Sequence, residues 1–187
     1  MKNIGVTHNM REKWYDYWYL CFQGISNQKK LQLYENGFLP EQLYNIEETI
    51  LKMGCKDLLS KQEMDLIYQS RRIINWQKEY DIAMQQGIQI VSRHEEHFPK
   101  RLNQLKGMPY ALCYKGVLPE EETCSIAIVG ARNCSTYGES MTLQFAECLA
   151  GAGIQIISGM ARGVDGAAHR GALNVGGNTF AILGCGV

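Results

Sequence analysis

Two segments decide the fold: SIAIVGAR at residues 125–132 and IQIISGMARGVD at residues 154–165. The first contains a continuous apolar run, Ile126–Val129, which is typical of a strand buried on both faces of a parallel sheet, and the second contains a further strand at Ile154–Ile157. Each run ends in a glycine-containing turn, and a helical pattern follows the turn. A third apolar run lies at Thr179–Leu183. The order strand, helix, strand, helix, strand predicts a parallel sheet with right-handed crossovers.

The helical segments between these strands carry start and stop signals. Thr136 and Glu139 fit a capping box, and Gly153 ends the helix that follows. A second helix of small residues is predicted from about Val164 to Leu173. The fold class is therefore α/β, a Rossmann-like parallel sheet that is incomplete at the C-terminus as shown. With no helix after the third strand, apolar sheet surface would lie in water, so we expect either that residues of this domain are missing from the sequence shown or that another element covers the sheet.

A small all-helical domain is predicted before this sheet. Apolar residues recur at helical spacing from Trp14 to Phe22, Ser26 starts a second helix that Gly37 ends, and Pro40 opens a third. A longer amphipathic helical stretch is predicted from Ser60 to about Gln86. We assign residues 1–80 to the helical domain and 81–187 to the N-terminal part of an extended Rossmann-like domain.

Composition excludes several classes of protein. The 187 residues carry 19 basic and 19 acidic side chains, so any anion-binding site must be a small focused patch. No apolar run reaches the length of a membrane span, and no signal-peptide pattern opens the chain. The seven cysteines form no C-x-x-C pair, which favours reduced, mostly buried thiols in a cytoplasmic protein.

The two turns are the candidate site. Both lie where a parallel strand ends and a helix begins, the edge at which α/β sheets bind ligands and where free N–H groups favour anions. Glycine lets a phosphate approach the backbone, and arginine supplies donors suited to phosphate oxygens. The candidate phosphate-binding residues are Gly130, Arg132, Ser158, Gly159, Met160, Ala161, Arg162 and Gly163.

Structural alternatives remain open at these positions. Arg132 could brace its loop, Arg162 could pair with Asp165, and Asp165 could be a cap or could orient an arginine. His169 is interpreted as a buried, satisfied histidine. Ser158 has no evident catalytic partners, and the His94–His97 pair is not presented by a helix, so neither a serine nucleophile nor a metal site is predicted. Neither G-x-G-x-x-G nor a P-loop is present, so no nucleotide cofactor is expected.

Taken together, motifs from His97 onward resemble the DNA-processing protein A (DprA/Smf) family. They are HFPKRL at 97–102, PYAL at 109–112, YKG at 114–116, IVGAR at 128–132, YG at 137–138, SGMARGVD at 158–165, AHRGAL at 168–173 and GNTFAILGCG at 177–186. The N-terminal helices more loosely resemble the sterile-alpha-motif or helix-hairpin-helix domain of many members.

The resemblance implies a non-enzymatic mediator that binds single-stranded DNA. Such a protein protects incoming DNA, helps load the RecA recombinase during natural transformation, and is a homodimer when complete. Arg132 would contact a phosphate directly, while residues 158–161 would supply backbone donors and Arg162 charge. Two rivals remain: a nucleotide-phosphate-binding enzyme or sensor of a related Rossmann-like family, and a protein-interaction module that works through its helices.

Overall fold

A computed structural model describes residues 12–184, and these form two compact units. The first unit extends to Phe98 and also contains Leu102–Lys115. The second contains Pro99–Arg101 and the chain from Gly116 onward. The sequence suggested a boundary near residue 80. A strand pair beyond that point lies in the first unit because Ile90 and Ala111 belong to its apolar core.

The first unit begins with helices, as its sequence pattern indicates. They are α1 (Trp14–Cys21), α2 (Asn27–Glu35), α3 (Pro40–Asn45), α4 (Glu48–Gly54), α5 (Lys61–Ile73) and α6 (Trp76–Gln85). The predicted start of the second helix is confirmed, since the Ser26 side chain accepts a hydrogen bond from the Lys29 amide. Strands β1 (Gln89–Ser92) and β2 (Ala111–Tyr114) follow and pair antiparallel. A 3₁₀ turn spans Lys100–Gln104 in the sequence between β1 and β2, and its first two residues are assigned to the second unit.

The amphipathic stretch expected from Ser60 to about Gln86 is helical, but it forms two helices and not one. Ile74 is extended, with φ −137° and ψ 147°, and this conformation ends α5 before α6 begins. Asn75 then caps α6, because its side chain accepts from the Lys78 amide. After this break, the Trp76 side chain lies in the core of the first unit. Its indole N–H donates to the Ser70 carbonyl at 2.6 Å.

The second unit has the predicted β-α-β-α-β order. Its elements are β3 (Ser125–Ala127), α7 (Thr136–Gly151), β4 (Gln155–Ser158), α8 (Val164–Asn174) and β5 (Thr179–Ala181). The strands are parallel in the order β3-β4-β5, with Ile126 beside Ile156 and Ile156 beside Thr179. The Rossmann-like prediction for this region is confirmed.

The start of α7 corrects the predicted capping box. Ser135, one residue earlier, is the N-cap, and its hydroxyl accepts from the Gly138 amide at 3.1 Å. Thr136 is the first helical residue instead. Glu139 reaches no cap and pairs with Arg170 on α8. Both serine and threonine suit an N-cap, so only the path of the preceding loop selects between them.

Both helices of the second unit cover the same face of its sheet. The Ile156 side chain packs with Ala150 of α7 and with Ala168 and Ala172 of α8. The opposite face carries Ala127, Ile157 and Phe180 in register, because side chains alternate along a strand. None of these three residues is buried. Neither α7 nor α8 therefore buries this face of the sheet.

Two residues that the sequence did not single out hold the acidic loop before β3. Arg101 donates to the Ser125 hydroxyl at 2.9 Å and to the Glu121 carbonyl at 2.6 Å. Gln155, only 1% exposed, accepts from the Glu120 amide and donates to the Glu120 carbonyl. The loop that contains the acidic run Glu120–Glu122 is thus fastened at its backbone. A glutamine inside an otherwise apolar strand was the available signal.

Most cysteines in the described part of the chain are not buried. The six cysteines among residues 12–184 are free thiols, but only Cys55 is buried and both Cys124 and Cys148 are exposed, so the expectation of mostly buried cysteines is wrong. Within the same residues, no helix combines the length and apolar character that a membrane crossing requires.

Candidate functional site

The candidate site consists of two loops at one edge of the β3-β4-β5 sheet. The first loop, residues 128–135, connects β3 to α7, and the second loop, residues 159–163, connects β4 to α8. Because β3 and β4 are parallel neighbours, both loops leave the sheet at the same edge. The sequence analysis predicted that both turns lie at this edge of the sheet, and the structure confirms this position.

The backbones of the two loops are in direct contact. The Val164 amide donates to the Ala131 carbonyl at 3.2 Å. Gly163 has φ +78°, and a Cβ on it would lie 2.3 Å from the carbonyl oxygen of Ala131 and 2.6 Å from that of Arg132. Any side chain at position 163 would therefore separate the loops. This glycine is required by the contact between loops, a reason that the sequence interpretation did not include.

Asp165, in the first turn of α8, joins the loops through its side chain. It is 7% exposed, and its two carboxylate oxygens accept from the Gly130 amide of the first loop at 3.3 Å and from the Ala161 amide of the second at 3.4 Å. A Cβ on Gly159 would lie 2.8 Å from one of these oxygens. Of the alternatives raised for Asp165, the structure shows a cap on backbone amides.

The two arginines of the loops point away from these contacts. Arg132 and Arg162 are both exposed, and within residues 12–184 neither guanidinium makes a hydrogen bond or an ion pair. The loop brace considered for Arg132 and the Asp165 pair considered for Arg162 are therefore not formed. Both cations are left available to a ligand, and a fork of donors on each suits phosphate oxygens.

An open cleft of about 480 Å³ lies beside these arginines. It is lined by Arg132, Gly159, Met160, Ala161, Arg162, Leu183 and Gly184. Met160 has φ +59° and is 64% exposed, so a non-glycine residue holds the left-handed conformation at the rim. Backbone in sparsely populated regions concentrates at functional sites. The Met160 amide has no partner among the described residues and is available as a donor.

Ser158 contributes differently from its neighbours. Its side chain is buried, and the hydroxyl donates to the Ile128 carbonyl at 2.6 Å, which ties the end of β4 to the first loop. The hydroxyl is thus committed to the fold. Among the residues predicted for the site, Ser158 supports the loops from beneath, while the two arginines and Met160 face solvent.

His169 is half-buried on α8 and faces β5. Its Nδ1 atom lies 2.7 Å from the Thr179 hydroxyl oxygen, which in turn lies 3.0 Å from the Ile156 carbonyl oxygen. Nε2 is buried and has no partner in the described part of the chain. Burial lowers the pKa of His169 from its ordinary value, so the ring is neutral at pH 7. The prediction of a satisfied histidine holds for one ring nitrogen only.

The His94–His97 segment belongs to the first unit and has a structural role there. The His94 ring contacts the Tyr110 hydroxyl at 3.1 Å and the Ser92 hydroxyl at 3.3 Å. Across residues 12–184, no three or more His, Cys, Asp or Glu side chains are grouped so that they could hold a metal ion.

Comparisons with known proteins agree on one family. A family model described as DNA recombination-mediator protein A matches residues 89–187. Protein Smf from Escherichia coli K12 is 40% identical over 98 residues, which cover 52% of this chain and 26% of Smf. DNA processing protein DprA from Streptococcus pneumoniae R6 is 28% identical over 173 residues, 92% of this chain and 58% of that protein.

A solved structure gives the same result for the fold. The X-ray structure of DNA processing protein A (DprA) from Streptococcus pneumoniae aligns with a TM-score of 0.69 at 26% identity, covering 92% of this chain and 58% of that one. The chain therefore spans between about a quarter and three fifths of the length of these relatives.

Proposed function

Because this chain belongs to the DNA recombination-mediator protein A family, we propose that it binds single-stranded DNA at the edge where its two loops meet. The observation that carries the proposal is a pair of exposed guanidinium groups, Arg132 and Arg162, that have no partner in the described chain and flank an open cleft. Two unpaired cations of this kind are placed for an external anion rather than for the fold.

The charge balance fits a focused site of this kind. The formal net charge is zero, so the chain has no excess of positive charge to attract nucleic acid. Two guanidiniums beside exposed backbone amides instead bind consecutive phosphates through geometry. Phosphate contacts do not read sequence, so we expect little base preference.

We propose distinct roles for the residues of the site. Arg132 and Arg162 contact phosphates through their side chains, and Gly159 and Met160 contact them through their backbone amides. Gly130, Ala161 and Gly163 shape the two loops, since the first two amides are held by Asp165 and Gly163 lies against the first loop. Ser158 anchors β4 beneath them.

The wider role follows from the family. We propose that the complete protein is a cytoplasmic homodimer without enzymatic activity that protects incoming single strands and helps load RecA during natural transformation. The match of residues 89–187 to the recombination-mediator family supports this.

Fluorescence anisotropy with labelled oligothymidine tests the proposal. We expect salt-sensitive binding that single strands compete for better than duplex or nucleoside monophosphate. Arg132→Ala removes one charge-assisted contact and should weaken binding about tenfold. It should also reduce the slope of log affinity against log salt by about 0.7, one single-strand phosphate contact. Arg72→Ala is the matched control, since Arg72 is an exposed arginine on α5 of the first unit.

Two outcomes would contradict the proposal. If wild type binds no single strand at low salt, the DNA-binding function is wrong for this chain. If wild type binds but Arg132→Ala and Arg72→Ala behave alike, the strand binds elsewhere on the chain.

A further inference from the structure

Asp165 occupies a position that is unfavourable for anion binding. Its carboxylate is 7% exposed, and one oxygen lies so close to Gly159 that a Cβ there would be 2.8 Å away. Gly159 also lines the cleft between the arginines. A negative charge under a phosphate site repels the ligand, so Asp165 must supply something that outweighs the repulsion.

Its two hydrogen bonds identify the contribution. Each oxygen accepts from a different loop, Gly130 on one side and Ala161 on the other. The α8 N-cap residue, Gly163, has no side chain to cap with, and a carboxylate in the first helical turn is favoured by the helix dipole. One side chain thus satisfies an amide from each loop and links the two loops.

The arginines depend on this connection. Arg132 lies two residues after Gly130, and Arg162 lies one residue after Ala161. Neither guanidinium is held by another described side chain, so the backbone of its own loop is what places it. The carboxylate that joins Gly130 to Ala161 is therefore one of the contacts, together with the Val164–Ala131 hydrogen bond, that hold the backbones from which Arg132 and Arg162 project.

We propose that Asp165 is a positioning residue of the phosphate site, one that spaces Arg132 and Arg162 for consecutive phosphates of one strand. This inference rests on the proposed function. Asp165 does not touch the strand itself, and its negative charge opposes binding. Its geometry and its charge therefore predict opposite effects of neutralising it.

The variant Asp165→Asn tests which of these two opposite effects on affinity is larger. The asparagine oxygen can accept from one amide, but its NH₂ group faces the other amide as a second donor, so the loops lose their common partner. We expect affinity for oligothymidine to fall about fivefold or more although a repulsive charge has been removed. Glu147→Gln is the matched control. It neutralises a carboxylate of the same unit, and glutamine can still accept from Asn174.

A double-mutant cycle separates positioning from a loss of folded protein. If Asp165 positions Arg132, then Arg132→Ala should weaken binding about tenfold in the wild-type background and less than about threefold in Asp165→Asn. The salt slope of Asp165→Asn should already be lower by about 0.7. Partial unfolding would instead lower the active fraction and leave both the slope and the effect of Arg132→Ala unchanged.

The outcomes are distinct. Binding by wild type with equal or tighter binding by Asp165→Asn overturns the positioning role and leaves the proposed function intact. Additive effects of Asp165→Asn and Arg132→Ala overturn it as well. An absence of binding by wild type removes the proposed function, and this inference with it.

Discussion

The two units of the chain bury opposite kinds of side chain. In the first unit the core is large and aromatic, with Trp18, Tyr19, Leu33, Leu43 and Ile67 fully buried. In the second unit the core around Ile156 is made of alanines, and large apolar residues lie outside it, among them Val129, Phe145, Leu173 and Ile182.

The difference reflects what each unit has to achieve. Large side chains fill the space between the short helices of the first unit, and their burial stabilises it. In the second unit, small residues let α7 and α8 approach each other closely over the sheet. Gly171 illustrates this, because a Cβ on it would lie 2.7 Å from the Ala146 Cβ. We expect the first unit to be sensitive to lost volume and the second to added volume.

The largest effect should follow from Trp18→Ala. The indole is completely buried and donates to the Ser70 hydroxyl at 3.0 Å, so its removal leaves a cavity and takes away one of the two hydrogen bonds of that hydroxyl. We expect a loss of about 3–5 kcal/mol in the free energy of unfolding, measured by urea denaturation. Phe145→Ala in the second unit removes similar apolar volume from a 59% exposed site and should change stability by less than about 1 kcal/mol. Equal losses would remove the contrast.

The converse test adds one methyl group to the second unit. Gly171→Ala places a Cβ 2.6 Å from the Leu143 carbonyl oxygen, so α7 and α8 must shift apart. We expect destabilisation of about 1–3 kcal/mol by thermal or urea unfolding. Gly151→Ala, at the end of α7 with no atom within 4 Å of the new Cβ, is the control and should be neutral or slightly stabilising. If both variants behave alike, close helix packing is not what requires glycine at 171.

The smallest effect should be a pH dependence of the second unit. His169 has a pKa lowered by burial, so the unfolded chain binds its proton at a higher pH than the folded chain does. Stability is therefore complete above about pH 6.5 and is lost as the pH falls toward the lowered pKa. Unfolding measured at pH 7.5 and pH 5 should show a larger loss for wild type than for His169→Gln. A larger loss in the variant would contradict the assignment of a neutral ring.

The sequence predicted the position of the site better than its internal contacts. Apolar runs ending at Val129 and Ile157 place both loops at one sheet edge, because parallel strands share their carboxyl ends. A cap was one of the roles raised for Asp165, but its two partners could not be predicted, since they depend on which amides face the carboxylate after folding. The break at Ile74 was missed for a local reason. It contains neither glycine nor proline, and only the cap at Asn75 marks it.

The hydrogen bonds from Arg101 to the loop before β3 restrict where the chain can be divided into fragments. Pro99–Arg101 belongs to the second unit although the residues on both sides of it belong to the first. A fragment that begins at Gly116 would lack the guanidinium that donates to Ser125 and to the Glu121 carbonyl, and a fragment that begins at Pro99 would carry the β2 strand without β1. No single cleavage point therefore leaves both units intact. Expressing either unit separately requires joining its two chain segments, and a simple truncation is not enough.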